Sequence, residues 1–232
     1  MSEFINTIDL LGEEVVFESI IDGSITEFND NVVTNFGAAA MQKCEKLVSV
    51  DLPSLTNIGN GGFYYCSKLT AVNFPLLTSV GDSALEQCTS LTTVDFPLLT
   101  SVGTKAFRYC SKLTAVNFPL LTSVGTTVFE YCGKLTTVDF PLLTSIGSGA
   151  FKSCSVLTTL ILRSSTLCTL SNTNAFTSTP IASGTGYIYV PRALVDSYKS
   201  ATNWSTYASQ FRALEDYTVD GTTTGALDET KI

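Results

Sequence analysis

The sequence predicts a β-rich solenoid of stacked 22-residue coils, each built from two short extended segments and a helical turn. Two observations carry this prediction. Cysteines recur at intervals of 22 residues, at Cys44, Cys66, Cys88, Cys110, Cys132 and Cys154. The segments that they open share the frame C-x-x-L-x-x-V-x-[FL]-P-x-L-x-x-[VI]-G-x-x-[AGV]-[FL]-x-x. A fixed period between about 20 and 50 residues is typical of solenoids, because each unit buries its apolar side chains only against its neighbours.

The repeats are predicted to span residues 25–178 as about seven parallel-stacked coils, of which the first and last are degenerate. Residues 1–24 precede them and include DLLGEEVVFESII, which can form a short pair of strands. A bare terminal coil would expose apolar side chains to water. We therefore predict that residues 1–24 form an N-terminal cap.

Within a coil, the first element is a short strand. In the coil that opens at Cys66, Val72 and Phe74 are predicted to point inward on either side of an outward Asn73, which is the alternation of a strand. Pro75 then ends the strand, because proline has no backbone N–H to donate.

The second extended segment, LLTSVG, is closed by Gly81. After it, Ala84, Leu85 and Cys88 have the spacing of one apolar face of a helix, which predicts a helical turn. Stacking then brings parallel strands of successive coils together.

The chain after the repeats predicts a C-terminal strand-helix cap over residues 179–216. GYIYV has the composition of a strand, Pro191 is placed as at the start of a helix, and apolar residues from Leu194 to Phe211 have helical spacing. The last segment, residues 217–232, lacks a core pattern and is predicted to be a flexible tail.

Composition excludes several functions. The 232 residues carry a formal net charge of -8, which disfavours nucleic acid and anionic membrane surfaces as partners. There is no histidine, so catalytic Ser-His-Asp and Cys-His arrangements and histidine-containing zinc sites are excluded. No apolar run is long enough to insert into a membrane, and the acidic opening of the chain does not have the pattern of a signal peptide. No cofactor motif is present, and we predict none.

The six in-register cysteines allow two interpretations. Stacking brings them within about 5 Å of each other, which would permit disulfides or a metal site. Their side chains should, however, point in parallel into the core, and we favour buried, inert thiols with no metal. Cys168 falls outside the register and is predicted to be the most exposed or reactive thiol.

An outward column of acids and amides is the second candidate. It consists of Asp51, Asn73, Asp95, Asn117 and Asp139. Three interpretations are open: a catalytic carboxylate pair, a calcium strip, and a hydrogen-bonded column in which each Asn donates to a neighbouring Asp. We favour the third, because an intervening Asn separates like charges and can donate to either neighbour. The alternation also indicates duplication of a 44-residue pair of coils.

The helical turn carries the most varied side chains of the repeat. Tyr65, Arg108, Tyr109 and Tyr131 lie in this segment, and Tyr and Arg are common anchors of binding interfaces. These residues are candidates for a contact surface that binds a ligand. The alternative is that each Tyr merely packs over the neighbouring coil.

The frame L-x-x-V-x-F-P-x-L-x-S-[VI]-G-x-x-A-F-x-x-C resembles the leucine-rich repeat of the BspA-like bacterial surface proteins, also called the Treponema type. The resemblance covers residues 25–178. It implies a right-handed, non-enzymatic leucine-rich-repeat solenoid that adheres to a host or matrix protein, a glycan or another cell. It also implies an extracellular or cell-surface location.

Two other functions remain as alternatives. The short acidic leader is also similar to that of repeat proteins encoded by gut bacteriophages, which implies a tail-associated receptor-binding protein of a virion and predicts stable oligomers. A carbohydrate-active enzyme built on a solenoid is a further alternative. It is less favoured, because the repeats predict no cleft and no cluster of acids.

Overall fold

A computed structural model of the protein describes residues 16–17 and 24–216, with side chains from residue 24 onward. Most of the predicted N-terminal cap and the whole of the predicted tail lie outside the described residues. The remainder winds into a solenoid of parallel strands, as the repeat predicted.

Two columns of strands run along the solenoid, and we number the strands together in chain order. The three-residue strands are β2 (Glu27–Asn29), β4 (Ser49–Asp51), β6 (Ala71–Asn73), β8 (Thr93–Asp95), β10 (Ala115–Asn117), β12 (Thr137–Asp139) and β14 (Thr159–Ile161). The two-residue strands are β1 (Val16–Phe17), β3 (Asn35–Phe36), β5 (Asn57–Ile58), β7 (Ser79–Val80), β9 (Ser101–Val102), β11 (Ser123–Val124), β13 (Ser145–Ile146) and β15 (Thr169–Leu170). Within the repeats, paired strands are parallel and in register, so that Val50 lies opposite Val72.

The strand columns are interrupted at regular places. The three-residue strands group as β2-β4-β6, then β8-β10, then β12-β14, and the two-residue strands separate between β9 and β11. Val72 and Val116 are half-buried, whereas Val94 and Val138 are buried. The breaks after β6 and β10 therefore recur at every second coil, as the 44-residue pattern of the sequence does.

The segment predicted as a helical turn takes the form of consecutive tight turns and not of a regular helix. Within the coil, the Tyr64 N–H donates to the Gly61 carbonyl, three residues earlier. Every second N–H instead donates to the following coil, as from Phe63 to Ala84 and from Tyr65 to Glu86. Left-handed residues, such as Tyr65 with φ of 63°, turn these N–H groups outward and prevent a helix.

The core is a continuous stack of identical side chains. Phe107, Phe129 and Phe151 occupy one column with ring centroids 5.5 Å apart and nearly parallel planes. Phe118 and Phe140 belong to a second column, 6.1 Å apart. Such aromatic contacts add about 0.5–1.5 kcal/mol each to the stabilisation from burial. The inward positions of the repeat thus build one core from contacts between coils.

All seven cysteines are free and buried. The thiols from Cys66 to Cys154 each donate to a backbone carbonyl of the preceding coil; for example, the Cys110 Sγ lies 3.3 Å from the Leu85 oxygen. The same carbonyl also accepts from a backbone N–H, as Leu85 does from Cys88, so the thiol is its second donor.

The predicted exposure of Cys168 is wrong. Cys168 is fully buried beneath aromatic residues from the C-terminal segment. Its N–H donates to the Tyr198 hydroxyl at 2.8 Å, and its carbonyl accepts from the Trp204 indole at 2.6 Å. Packing of a segment 30 residues away excludes water here, which the local sequence does not show.

We expect thiol reagents to distinguish the native protein sharply from the unfolded one. Burial raises the pKa of Cys66 and of Cys168 to about 12, which removes the reactive thiolate as well as the access route. Labelling with an excess of a maleimide or aromatic disulfide at pH 8 should be at least about a hundredfold slower in buffer than in denaturant. Rapid native labelling of even one cysteine, located by mass spectrometry, would contradict the structure at that coil.

Beyond the repeats, the strand column continues. Strand β16 (Tyr187–Val190) pairs with β14, and β17 (Phe211–Ala213) pairs with β16. The helices are short: α1 (Pro180–Ser183), α2 (Val195–Ser200), and 3-10 helices at Thr173–Phe176, Arg192–Leu194, Trp204–Gln210 and Leu214–Asp216. No helix among the described residues is long and apolar enough to span a membrane.

The helical spacing from Leu194 to Phe211 is therefore divided among several elements, and Phe211 begins a strand. Trp204 explains the arrangement, because its ring lies 6.0 Å from Phe176 and closes the aromatic column of the core. The segment covers the last coil, while the boundaries 179–216 of a separate cap stay a prediction.

Candidate binding surface

The turn segments carry a column of charged side chains that neutralise each other. Arg108 Nε lies 2.6 Å from Glu130 Oε2, and Arg108 Nη1 lies 3.4 Å from Glu86 Oε1. Lys152 Nζ lies 3.1 Å from Glu130 Oε1. Both carboxylates are buried, so each needs these partners. Partial burial would lower the pKa of Arg108, but the hydrogen bond and charge of Glu130 outweigh it and raise that pKa.

Beside this column, Tyr109 and Tyr131 stack face to face. Their ring centroids are 4.6 Å apart and their planes differ by 7°. The Arg108 guanidinium lies over the Tyr109 ring at 4.6 Å. Three of the four predicted contact residues are thus brought together, and Tyr65 is separated from them by the coil that carries Gln87.

These tyrosines remain partly open to solvent. Tyr65 is 37% exposed and Tyr131 is 38% exposed, while Tyr109 is half-buried between its neighbours. All three have left-handed backbone conformations. A conformation that is uncommon for bulky residues is held here by the N–H bonds to the next coil, which gives the rings fixed positions.

The acid and amide column is hydrogen-bonded. Asn73 Nδ2 donates to Asp51 Oδ1, and Asn117 Nδ2 donates to Asp95 Oδ1, both at 2.8 Å. Both amide bonds therefore go to the preceding coil. Asp139 instead accepts hydrogen bonds from Arg163, whose Nε lies 3.0 Å from Oδ1 and 2.9 Å from Oδ2 and whose Nη2 lies 2.7 Å from Oδ2. In the described part of the chain, no group of three or more acids or cysteines is arranged to hold a metal ion.

Arg163 is a hydrogen-bond partner of Asp139 that the sequence analysis did not predict. It replaces the proline of the regular frame in the last coil, where the Asn–Asp alternation ends. An open depression of about 340 Å³ adjoins it and is lined also by Pro191, Leu214 and Glu215. Because Asp139 holds Arg163 and the N–H of Arg192 donates to Glu215, the charged groups of this depression already have partners.

A row of exposed leucines was also missed. Leu76, Leu98, Leu120 and Leu142 follow the repeat prolines and are each between 39% and 47% exposed. The second leucine of each Pro-Leu-Leu segment is fully buried, as at Leu99 and Leu121. Alignment on the period shows this row, but only the structure separates the outward leucine from the inward one.

A column of lysines is the third feature that sequence reasoning missed. Lys46, Lys68, Lys112 and Lys134 each stand two residues after a repeat cysteine and are exposed. None of the four forms an ion pair with another described residue. The repeat alignment contains this column as well, because all four share one position of the frame.

The chain matches one protein family by sequence. The BspA type leucine rich repeat region matches in six copies, over residues 5–114 and 78–188. No curated protein matches the chain.

Solved bacterial structures have a similar fold. A leucine rich cell surface protein from Faecalibacterium prausnitzii is 26% identical over 66% of this chain, with a TM-score of 0.59. A leucine-rich repeat protein from Bacteroides ovatus is 23% identical over 72% of this chain, with a TM-score of 0.54. The matched regions are 43% and 52% of those two chains, so this chain corresponds to about half of each.

Proposed function

The chain belongs to the BspA-type leucine-rich repeat family, and on that basis we propose that it is a non-enzymatic binding module of a bacterial surface protein. Its partner is an extracellular protein or glycan of a host, a matrix or another cell. A stack of coils presents a long, rigid surface, which suits recognition of an extended partner. The description of the Faecalibacterium prausnitzii relative as a cell surface protein supports the proposed location.

The observation that carries this proposal is the contrast between the core and the turns. The inward positions hardly change from coil to coil and are buried, as Phe107, Phe129 and Phe151 illustrate. The turn positions change from coil to coil and keep aromatic rings open to solvent. Stability does not require that variety, whereas recognition of a specific partner does.

We assign the contact surface to the turns, with different roles for its members. Tyr65, Tyr109 and Tyr131 supply aromatic contact area. Arg108 is held by two buried carboxylates and lies over Tyr109, so its role is to orient that ring.

We assign the acid and amide column a secondary role, as a polar face that also contacts the partner. Its members are Asp51, Asn73, Asp95, Asn117 and Asp139. The hydrogen bonds between coils occupy part of each side chain and leave other carboxylate lone pairs for donors on a partner. We place this column second to the tyrosines, because exposed polar contacts contribute less to affinity than aromatic anchors.

The test compares two double variants of the whole chain on a panel of immobilised matrix proteins and glycans. Tyr109→Ser/Tyr131→Ser removes the stacked pair. Leu98→Ser/Leu120→Ser removes two exposed apolar side chains from the same coils at a different face. We expect the tyrosine variant to bind any captured partner at least about thirtyfold more weakly, and the leucine variant to bind normally.

Thermal melting of the same variants separates binding from packing. If the tyrosines serve binding, their replacement should lower Tm by only a few degrees. A large loss of stability would show that they serve packing instead. A loss of binding confined to the leucine variant would move the contact surface to the leucine row.

A further inference from the structure

Among the described residues, three columns of charged side chains follow the solenoid. In one of them, the charges have no neighbouring group that offsets their mutual repulsion. In the acid and amide column, Asn separates the acids; in the turn column, charges of opposite sign alternate. The lysine column, Lys46, Lys68, Lys112 and Lys134, has neither device. Lys112 and Lys134 lie in adjacent coils, so their like charges repel each other, and a bound anion would relieve that repulsion.

Lysine and tyrosine occur together in this chain. The segments Tyr65-Cys-Ser-Lys68, Tyr109-Cys-Ser-Lys112 and Tyr131-Cys-Gly-Lys134 each place an aromatic and a cationic residue three positions apart. Two coils lack both residues, with Gln87 followed by Ser90 and Ser153 by Val156, while Lys46 follows Lys43 and not a tyrosine. Packing of a tyrosine over its neighbour would not require a lysine, so the pairing indicates a shared ligand.

The cysteine between them fixes both members. Cys66, Cys110 and Cys132 are buried, and each thiol donates to a carbonyl of the preceding coil. The tyrosine before it has a left-handed conformation secured by a backbone bond to the following coil. Aromatic and cationic side chains therefore emerge beside a rigid point in each coil, at a constant repeat distance.

We propose that this Tyr–Lys surface binds a linear anionic polysaccharide, laid along the solenoid with its carboxylate or sulfate groups on the lysines and its sugar rings along the exposed edges of the tyrosines. The inference rests on the proposed binding function and names its ligand. The rings of Tyr109 and Tyr131 repeat at 4.6 Å, close to the length of one sugar residue in an extended chain. One coil can thus face one sugar.

The spacing disfavours an acidic peptide. Side chains on one face of an extended peptide repeat every 6.4–6.8 Å, about two residues of a strand, whereas successive coils repeat at about 4.8 Å. A peptide that lies along the axis therefore loses register with the lysines within a few coils. The lysine column also supplies local positive charge on a chain whose net charge of -8 would otherwise repel an anionic polymer.

The test measures binding of the whole chain to polygalacturonate and to heparin, with dextran as the neutral polymer. Lys112→Gln/Lys134→Gln removes two charges from the column, and Arg192→Gln/Lys199→Gln removes two exposed charges outside the repeats. We expect binding to one or both anionic polymers, weakened about tenfold by the first variant and unchanged by the second. Preference for polygalacturonate or heparin distinguishes a carboxylate from a sulfate ligand.

A gain of affinity provides a second, independent measurement. Gln87→Tyr/Ser90→Lys completes the column at the coil that interrupts it. Gln87 already has a φ of 65°, equal to that of Tyr131, so the backbone there accepts a tyrosine as its neighbours do. We expect this variant to bind the preferred anionic polymer several-fold more tightly than the natural chain.

Several results would overturn this inference. It would be contradicted by equal binding to dextran, or by equal losses of affinity in both charge variants. Stronger binding to polyglutamate or oligothymidylate than to either polysaccharide would contradict it as well. A different result would contradict the proposed function itself, namely that no protein or glycan of the panel binds the chain. If a matrix protein binds and its affinity is unchanged by Lys112→Gln/Lys134→Gln, the proposed function is supported and the anionic ligand is refuted.

Discussion

Raising the pH from 8 to 10 is expected to remove most of the stability of this protein. Burial raises the pKa of Cys66, Cys110, Cys154 and Cys168 to about 12, and raises the pKa of Cys88 and Cys132 well above the ordinary value of 9.0. Stacked coils place the in-register thiols in one protected column, and the C-terminal segment covers Cys168. The folded state therefore cannot ionise thiols that the unfolded chain ionises readily.

The direction of the effect follows from proton linkage. Below pH 9 the thiols are protonated in both states, and their contribution to the free energy of unfolding is constant. Above pH 9 the unfolded chain releases protons that the folded chain retains, so stability falls until the pH reaches the folded pKa near 12. Each buried thiol lowers the free energy of unfolding by about 1.4 kcal/mol between pH 8 and pH 10, and by about 1.4 kcal/mol per pH unit from there to the folded pKa.

Six such thiols would together remove roughly 8 kcal/mol between pH 8 and pH 10, comparable with the whole stability of a typical domain. Urea unfolding followed by far-UV circular dichroism between pH 8 and 10, under reducing conditions, measures this loss. Cys110→Ala should lower stability at pH 8 through the cavity it leaves, yet lose about 1.4 kcal/mol less than the natural chain between pH 8 and pH 10. A stability that is flat above pH 9 would contradict the burial of the column.

Replacement of Gly103 by alanine is expected to destabilise the protein by about 3 kcal/mol or more, which would lower Tm by roughly 10 °C. A Cβ at Gly103 would lie 2.5 Å from the Asp82 nitrogen and 2.5 Å from the Gly81 carbonyl carbon. These are backbone atoms of the preceding coil, so the clash cannot be relieved by a side-chain rotation. The two coils would have to separate.

Gly125 provides the matched control, because it occupies the same position of the next repeat. A Cβ there would meet nothing closer than the Val128 side chain at 3.7 Å. The strand column is interrupted between β9 and β11, and at this break no backbone atom of the preceding coil lies as close to the glycine as at Gly103.

We expect Gly125→Ala to be neutral or to stabilise by about 0.5 kcal/mol, since alanine restricts the unfolded chain. Thermal melting of the two single variants compares identical substitutions at identical repeat positions. Equal losses in both would show that the close approach at Gly103 does not decide stability.

Much of the fold could be predicted because the constant length of the repeat sets the register between the strands of successive coils. A constant interval of 22 residues aligns Val50 with Val72, and the structure pairs these two residues. The alternation of Asp and Asn also led to a hydrogen-bonded column, and the bond from Asn73 to Asp51 is of the predicted kind.

Other features could not be predicted, because they depend on contacts absent from the local pattern. Helical spacing of Ala84, Leu85 and Cys88 describes which side chains are buried, but it does not show that left-handed residues direct alternate N–H groups to the next coil. Arg108 was predicted as a contact residue from its type alone. Its two buried carboxylate partners stand 22 residues away on either side.

The sequence by itself determined the period, the inward side chains and the parallel stacking, because an equal interval brings the same residue type to the same place in every coil. Only the tertiary structure decided which neighbour compensates each polar group, which of two adjacent leucines faces water, and that Cys168 is buried. These outcomes depend on short-range contacts between residues that are 22 or more positions apart. The distance between such residues is set by how closely the coils pack, which varies from one junction to the next.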